Sequence, residues 1–357
     1  MGLFKLFRNK EKETTTSKGF HELKISAIQR LTKSAVKVSF EIPENLKSTF
    51  QFIPGQYLNL ELFLNNEKIR RSYSICSGQN EALSVAIKAV EKGKVSNWFN
   101  QEAKIGDLIL VAKPEGNFTL ESSSKKIVAI AAGSGITPIV AISKSIKNDA
   151  EMTLFYGNKS INETLFSDEL ANLTQVKVTH FLSQETQVGY NSGRINKAVF
   201  TEIIKADLDL LKADTFFICG PEKMITDIKE TLLFFGVPEK KIKFELFTTP
   251  ILTEKMEETS SEFSGTSKVT IIIEGESESF NIKADGPTIL DTAEKNGMDA
   301  PYSCRGGVCC SCKAKILEGT ARMRMNYSLT EEEIKNGYIL TCQAHPTSEN
   351  LIVSYDE

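Results

Sequence analysis

The sequence predicts a multidomain chain of mixed α+β and α/β class. An antiparallel β-barrel comes first, then a parallel α/β domain, then a small β-rich domain. Three observations carry that reading. Residues 19–121 alternate apolar and polar side chains between closely spaced turn signals, the pattern of short half-buried strands. Residues 125–248 change to short apolar runs separated by helical stretches, which argues a parallel sheet covered on both faces. Residues 268–357 follow a polar, acidic, Ser/Thr-rich linker over 249–267 and contain a dense run of cysteines.

Composition bounds the function. A chain of 357 residues carries two or three domains, and 41% apolar with 25% charged residues is an ordinary globular balance. Net charge is −3, so no basic footprint for nucleic acid exists. No apolar run is long enough to span a bilayer, so no transmembrane segment is expected. Seven cysteines without a signal peptide point to a reducing compartment and hence a cytoplasmic location. Nothing in the sequence sets the oligomeric state.

In order, residues 1–18 read as a flexible charged tail. Leu3, Phe4, Leu6 and Phe7 leave open a short membrane- or partner-docking segment. In the barrel, Val36, Val38 and Phe40 alternate with polar residues, as do Leu58, Leu60 and Leu62, and Leu83, Val85 and Ile87. Turns fall at Pro43, Pro54-Gly55, Gly78-Gln79-Asn80 and Gly106-Asp107. Ser96 to Ala103 is the helix candidate there, with Ser96 suited to the N-cap.

The second domain opens with a strand at Ile127–Ala131 and a Gly133-Ser134-Gly135 turn. A helix then runs from Ile136 to about Lys147. Further strands are expected at Met152–Tyr156, Val176–Leu182, Thr215–Cys219 and Ile242–Phe247. The third domain begins with strands Val269–Glu274 and Glu278–Lys283 and a helix from Thr288 to Lys295, stopped by Asn296-Gly297.

The chemistry starts from Pro301 to Cys312, P-Y-S-C-R-G-G-V-C-C-S-C. Cys304, Cys309 and Cys312 are spaced C-x4-C-x2-C, with Cys342 further on, which is the plant-type spacing for a [2Fe–2S] cluster. Two bridged irons need four thiolates from two sides, three from one tight loop and one from a distant segment. Structural zinc normally asks for two C-x2-C pairs, and only one is present. A disulfide framework does not suit a large chain without a secretory signal. Using Cys310 as a ligand would break both spacings, so it reads as a filler. The loop, with Thr341-Cys342-Gln343, resembles the ferredoxin domain of plant-type and oxygenase-reductase proteins. That resemblance implies a β-grasp fold here.

Arg71-Ser72-Tyr73-Ser74 lies on a barrel strand, with Arg71 and Tyr73 on one face and Ser72 and Ser74 on the other. Gly93-Lys94-Val95-Ser96 opens a helix whose free amides suit phosphate. Pro114-Glu115-Gly116-Asn117-Phe118 closes the domain. Ala132-Gly133-Ser134-Gly135-Ile136-Thr137-Pro138 joins a strand to a helix but departs from the strict G-x-G-x-x-G fingerprint. Cys219-Gly220-Pro221-Glu222-Lys223-Met224 ends another strand. Together, in this order, these motifs resemble the ferredoxin–NADP reductase superfamily.

That resemblance implies FAD in the barrel. Arg71 would pair with the pyrophosphate, Tyr73 would pack on the ring or ribityl chain, and Ser74 would bond near the flavin atom that accepts hydride. Ser72, Lys88, Gly93, Val95 and Ser96 would complete the flavin contacts. Gly133, Gly135 and Thr137 would receive the nicotinamide dinucleotide. Gly220 and Pro221 would hold it too, with Cys219 beside the nicotinamide. Glu245 stays open between a residue beside the flavin and a solvent-facing strand residue. Phe247 either covers the flavin or the role is absent. Lys159, Ser183 and Arg194 fall where relatives grip a 2′-phosphate, while Gln184 departs from the usual arginine. NADPH is therefore expected over NADH.

The domain order is similar to the reductase components of bacterial multicomponent oxygenases, and the motif style to their phenylacetyl-CoA epoxidase branch. The expected function is an NAD(P)H-dependent oxidoreductase passing electrons through FAD and a [2Fe–2S] cluster to a separate acceptor protein, a di-iron oxygenase component. Alternatives are a general ferredoxin or flavodoxin reductase, and a non-enzymatic electron carrier or redox sensor. Electron counting supports a relay. Nicotinamide gives two electrons at once, the cluster takes one, and a flavin converts between them. The polar linker predicts a third domain free to swing between the flavin and a partner.

Overall fold

The computed structural model describes residues 19–247 and 263–357. The expected tail over 1–18 and most of the expected linker lie outside them.

Six strands form the first sheet: β1 (Phe20–Thr32), β2 (Ala35–Glu41), β3 (Tyr57–Leu64), β4 (Glu67–Ser74), β5 (Ser84–Lys88) and β6 (Leu108–Ala112). All pair antiparallel in the order β4-β3-β6-β1-β2-β5. A bridge from Ile75 to Val85 joins the two end strands and closes the barrel. Alternating Val36, Val38, Leu58, Leu60, Val85 and Ile87 fill its interior, as the period-two pattern requires. Helix α1 (Lys94–Gln101) plugs one end with Val95 and Phe99. It starts two residues before the expected Ser96. Gly93 holds the N-cap position, and Ser96, buried in the first turn, accepts from the Val90 amide at 3.2 Å.

The second sheet is parallel: β7 (Lys126–Ala132), β8 (Glu151–Asn158), β9 (Val176–Leu182), β10 (Asn191–Ser192), β11 (Thr215–Cys219) and β12 (Ile242–Glu245). Their order is β10-β9-β8-β7-β11-β12. Ile127, Ala129 and Ala131 face one hydrophobic core and Val128 and Ile130 the other, so β7 is apolar along its whole length. The order reverses between β7 and β11, which opens a ligand crevice at their carboxyl ends. Helix α2 (Ile136–Lys144) follows β7, and Ser145 caps it, shortening the expected helix. The outer helices are α3 (Ser167–Ala171), α4 (Lys197–Ala206) and α5 (Glu222–Phe234).

The third sheet is mixed. It contains β13 (Thr266–Ile273), β14 (Glu276–Lys283), β15 (Lys313–Glu318), β17 (Tyr338–Leu340) and β19 (Asn350–Ser354), in the order β14-β13-β19-β15-β17. Two short strands, β16 (Ala321–Met323) and β18 (Ala344–Pro346), pair beside it. Helix α6 (Ile289–Lys295) buries Ile289, Leu290 and Ala293 against Val269, Ile271, Leu351 and Val353, giving a β-grasp. Thr288 caps it by accepting from the Asp291 amide. A short helix α7 (Glu331–Lys335) begins with a full capping box at Thr330 and Glu333.

The three domains are joined by charge. Lys144 Nζ meets Glu81 at 3.0 Å and Glu169 at 2.5 Å, tying α2 to the barrel. Lys88 pairs with Glu163 at 2.8 Å across the same boundary, and Ser34 donates to Glu163 at 2.8 Å. The third domain docks on the β3–β4 hairpin through Arg70, which is 1% exposed. Arg70 Nε donates to Glu61 at 2.6 Å, Nη2 to Asp299 at 2.9 Å and Nη1 to the Ala300 carbonyl at 3.2 Å. The rings of Phe20 and Tyr302 lie 4.9 Å and 5.0 Å from its guanidinium carbon. The domain expected to swing is docked in this structure: its cysteine loop is hydrogen-bonded to the barrel, and Val308 and Tyr327 pack on the second domain's core.

Candidate functional site

The end of β4, the segment after β12 and the cysteine loop enclose a cavity of about 300 Å³. Arg71, Ser72 and Ser74 line it from β4, Glu245 from the end of β12 and Phe247 from just after it, and Cys304 and Cys309 from the loop. All three domains thus meet at one space.

Ser74 is buried, and its Oγ donates to Glu245 Oε2 at 3.0 Å. Cys219 ends β11 directly beside Glu245 in the β11–β12 register. The carboxyl of Glu245 therefore belongs to the cavity, not to a solvent-facing strand. Burial pushes its pKa up to about 7, opposed by the Ser74 hydrogen bond. Burial, reinforced by Glu245, pushes the Cys219 thiol well up, so it stays neutral. Phe247 is 42% exposed and lies on the cavity wall.

The crevice of the parallel sheet reaches the same place. Gly135 is required there: a Cβ on it would lie 2.2 Å from the Cys219 carbonyl oxygen, so any other residue would push the two loops apart. Thr137 Oγ1 donates to the Ser134 carbonyl at 3.0 Å, and Tyr156 donates to the Gly133 carbonyl at 3.2 Å, fixing the turn ahead of α2. Pro221 holds the N-cap position of α5, so Gly220 and Pro221 lead into a second helix start. Such starts present amides and partial positive charge to phosphate.

The remaining expected contacts are engaged in different ways. Arg71 is exposed and anchored through Nη1 to the Arg70 carbonyl at 2.7 Å. Tyr73 meets Phe99 edge-on at 6.3 Å, and burial raises its phenol so that it remains protonated. Val95 points into the barrel core, so only its backbone remains for a ligand. Lys88 is engaged with Glu163. Ser72 bonds Asn59 Oδ1 at 2.7 Å and lies 2.8 Å from Ser303 Oγ, so its hydroxyl is committed to the docking face. Of the expected 2′-phosphate residues, Arg194 follows Gly193, whose amide donates to the Leu182 carbonyl at 2.8 Å, next to Ser183 in the chain. The Ser183 amide donates to the Asn158 carbonyl, and the Gln184 amide to the Lys159 carbonyl, each at 2.9 Å.

Four thiols converge in the third domain. Cys309 Sγ lies 3.1 Å from Cys304 Sγ, and the Cys342 thiol is within hydrogen-bond reach of Cys304 and Cys312. None of the seven cysteines is in a disulfide. The Gly306 amide donates to Cys304 Sγ at 3.4 Å. Cys310 points elsewhere, 3.5 Å from the Ser328 carbonyl. The neighbouring Cys304 thiol and burial push the Cys309 thiol well up. Among the described residues no group of His, Cys, Asp or Glu is arranged for a single metal ion. Four thiols from a loop and a distant segment suit a two-iron cluster.

A model of the oxidoreductase FAD-binding domain matches residues 22–120, one of the oxidoreductase NAD-binding domain 129–230, and one of the 2Fe-2S iron-sulfur cluster binding domain 271–347. Over 350 residues the chain is 34% identical to a subunit of 1,2-phenylacetyl-CoA epoxidase from Escherichia coli (strain K12), covering 94% of this chain and 98% of that protein. The chain belongs to the ferredoxin–NADP reductase superfamily, in the branch with a C-terminal [2Fe–2S] ferredoxin domain. It is also 29% identical over 356 residues to the ferredoxin reductase component of 3-ketosteroid-9-alpha-monooxygenase from Mycobacterium tuberculosis (strain CDC 1551 / Oshkosh), covering 94% and 96% of the two chains. Phthalate dioxygenase reductase shares the fold, with a TM-score of 0.59, 23% identity and coverage of 94% of this chain and 98% of that one. The protein is an NAD(P)H-dependent oxidoreductase and electron-transfer component carrying FAD and a [2Fe–2S] cluster. No helix among the described residues is long and apolar enough to cross a membrane.

Sequence reading missed the outer face of β3. Tyr57, Asn59 and Glu61 alternate with the core leucines and so read as solvent-facing, yet all three are buried. Their partners across the hairpin are Ser74, Ser72 and Arg70. Three polar pairs on one otherwise regular hairpin are the signal that a further domain covers it.

Two outcomes follow from this geometry. Cys304→Ser should abolish the cluster absorption and electron paramagnetic resonance signal while leaving bound flavin, and Cys310→Ser should retain both; the reverse pattern would overturn the ligand set. Folding raises the Glu245 pKa from 4.5 to about 7, so its contribution to stability is present at low pH and lost as pH rises through that window. Glu245→Gln should remove that part of the pH dependence. Melting temperatures measured between pH 5 and pH 8 check this, and an unchanged profile contradicts it.

Proposed function

We propose that this reductase delivers electrons from NADPH to a separate di-iron oxygenase component of the phenylacetyl-CoA epoxidase type. The observation that carries this is the near full-length identity, at 34%, to a protein that is itself part of such an epoxidase. Other relatives are likewise reductase components of oxygenases. The chain's three histidines lie in separate places, His21 against Phe50, His180 between Tyr156 and Tyr190, and His345 on β18. Oxygen activation and substrate binding therefore belong to the partner. Seven cysteines outside disulfides support a cytoplasmic setting.

The residue roles we assign follow the family's motifs. Arg71 holds the flavin pyrophosphate as a fork-shaped cation at the cavity mouth. Backbone amides at Gly93, Val95 and Ser96, at the start of α1, take the remaining phosphate charge, and Tyr73 flanks the flavin. Gly133, Gly135 and Thr137, with Gly220 and Pro221, orient the dinucleotide so that the nicotinamide enters beside Cys219. The flavin, when bound, accepts electrons in pairs and releases them singly. Ser74 and Glu245 form a hydrogen-bonded pair at the reacting edge. With its carboxyl raised to about 7, Glu245 can hold or release a proton there near neutral pH. Cys219 stays neutral and excludes water. Lys159, Ser183 and Arg194 grip the 2′-phosphate, and Cys304, Cys309, Cys312 and Cys342 ligate the cluster at the far wall.

Mixing the purified protein with a di-iron oxygenase component of that type tests the reading. Substrate-dependent oxidation of NADPH should accelerate at least tenfold, with a higher kcat/KM for NADPH than for NADH. Acceleration by a soluble ferredoxin or flavodoxin, and by no oxygenase, would make it a general ferredoxin reductase instead. An equal or higher kcat/KM with NADH would overturn the assignment of the 2′-phosphate grip.

A further inference from the structure

The established activity requires electrons to leave the flavin for the cluster, but no motif assigns the residues that hold the two sites together. The hairpin face described above does so. Tyr57 stands opposite Ser74 in the β3–β4 register, and its backbone exchanges two hydrogen bonds with Glu115, at 2.8 Å and 3.0 Å. Its ring is seated by Gly116, at φ +114°, where an added Cβ would lie 2.9 Å from the ring. One end of Tyr57 thus shares the cavity with Ser74. At the other end its hydroxyl accepts the Cys310 amide at 3.1 Å, between the ligand positions Cys309 and Cys312. Two residues along, Asn59 Nδ2 donates to Ser311 Oγ at 2.9 Å.

We propose that Tyr57, supported by Asn59, is the positioning residue that couples the two redox sites, by pinning the Cys309–Cys312 segment to the wall of the flavin cavity. A tunnelling electron crosses with no bond made or broken, and its rate falls steeply with separation. A loop tethered by its own amide to a barrel side chain holds that separation fixed. The tether also uses an amide adjoining a ligand, and hydrogen bonding around the sulfurs tunes such clusters. Ser311, which meets Asn59, sits between Cys310 and Cys312, so two barrel residues grip adjacent positions of the ligand loop.

This inference concerns transfer inside the chain, so its test uses no oxygenase and stands or falls apart from the proposed acceptor. Tyr57→Phe keeps the ring in its seat and removes only the hydroxyl. In the cofactor-loaded protein, NADPH-driven reduction of cytochrome c, drawn from the cluster, is measured against ferricyanide reduction, drawn from the flavin. The ratio of the two rates should fall at least tenfold, and amide hydrogen exchange over residues 304–312 should accelerate. A merely structural role would lower the melting temperature and scale both rates together; an unchanged ratio with unchanged exchange overturns the proposal. Should Tyr57→Phe fail to assemble the cluster, Asn59→Ala is measured identically. A tenfold fall in its ratio upholds the proposal, and a wild-type ratio overturns it.

Discussion

Arg70 is the group on which the arrangement depends. A guanidinium taken out of water is tolerated only when its charge and donors are met by protein. Here Glu61 comes from the barrel, while the Asp299 carboxylate and the Ala300 carbonyl come from the third domain, and aromatic rings from both sit against the guanidinium. Separating the domains would hydrate this face and remove the Asp299 and Ala300 contacts from Arg70, whereas in the docked arrangement its donors are met by protein on both sides.

The consequence is a single shared cavity. Ser74 and Glu245 bring the barrel and the parallel sheet together, and Tyr57 and Asn59 bring the barrel and the cysteine loop together. Gly135 lets the two crevice loops touch, and the β11–β12 register places Cys219 next to Glu245. The cavity thus adjoins the cysteine loop on one side and the Cys219–Glu245 pair on the other. On the roles proposed above, the polar hairpin face both holds the domains and lines the electron route.

Much of this was legible. The cysteine spacing, the Arg71–Ser74 strand and the Gly133 and Cys219 loops carry their chemistry in local sequence, because a ligand-binding turn needs particular residues at particular offsets. Strands Val176–Leu182 and Thr215–Cys219 were readable because a buried parallel strand is apolar throughout. What stayed hidden depends on contacts between distant segments. Arg70 carries no local signal of its burial, and the ion pair from Lys88, an expected flavin contact, to Glu163 cannot be read from either residue's neighbours in sequence. Ser96 suits a cap by type, yet the helix starts earlier and uses Ser96 to bond Val90. An acidic, polar linker reads as a tether for a swinging domain. The buried polar pairs on β3 and β4, decoded only by the partner surface, hold that domain in place.

The central claim is that the electron crosses from flavin to cluster within a docked chain, with no domain movement. Single-turnover stopped-flow measurement of cluster reduction, after mixing with NADPH in buffer and in glycerol-thickened buffer, tests this most directly. The account predicts a rate independent of viscosity once flavin reduction is complete. A rate that falls in proportion to viscosity would mean that the ferredoxin domain must travel, and would contradict it.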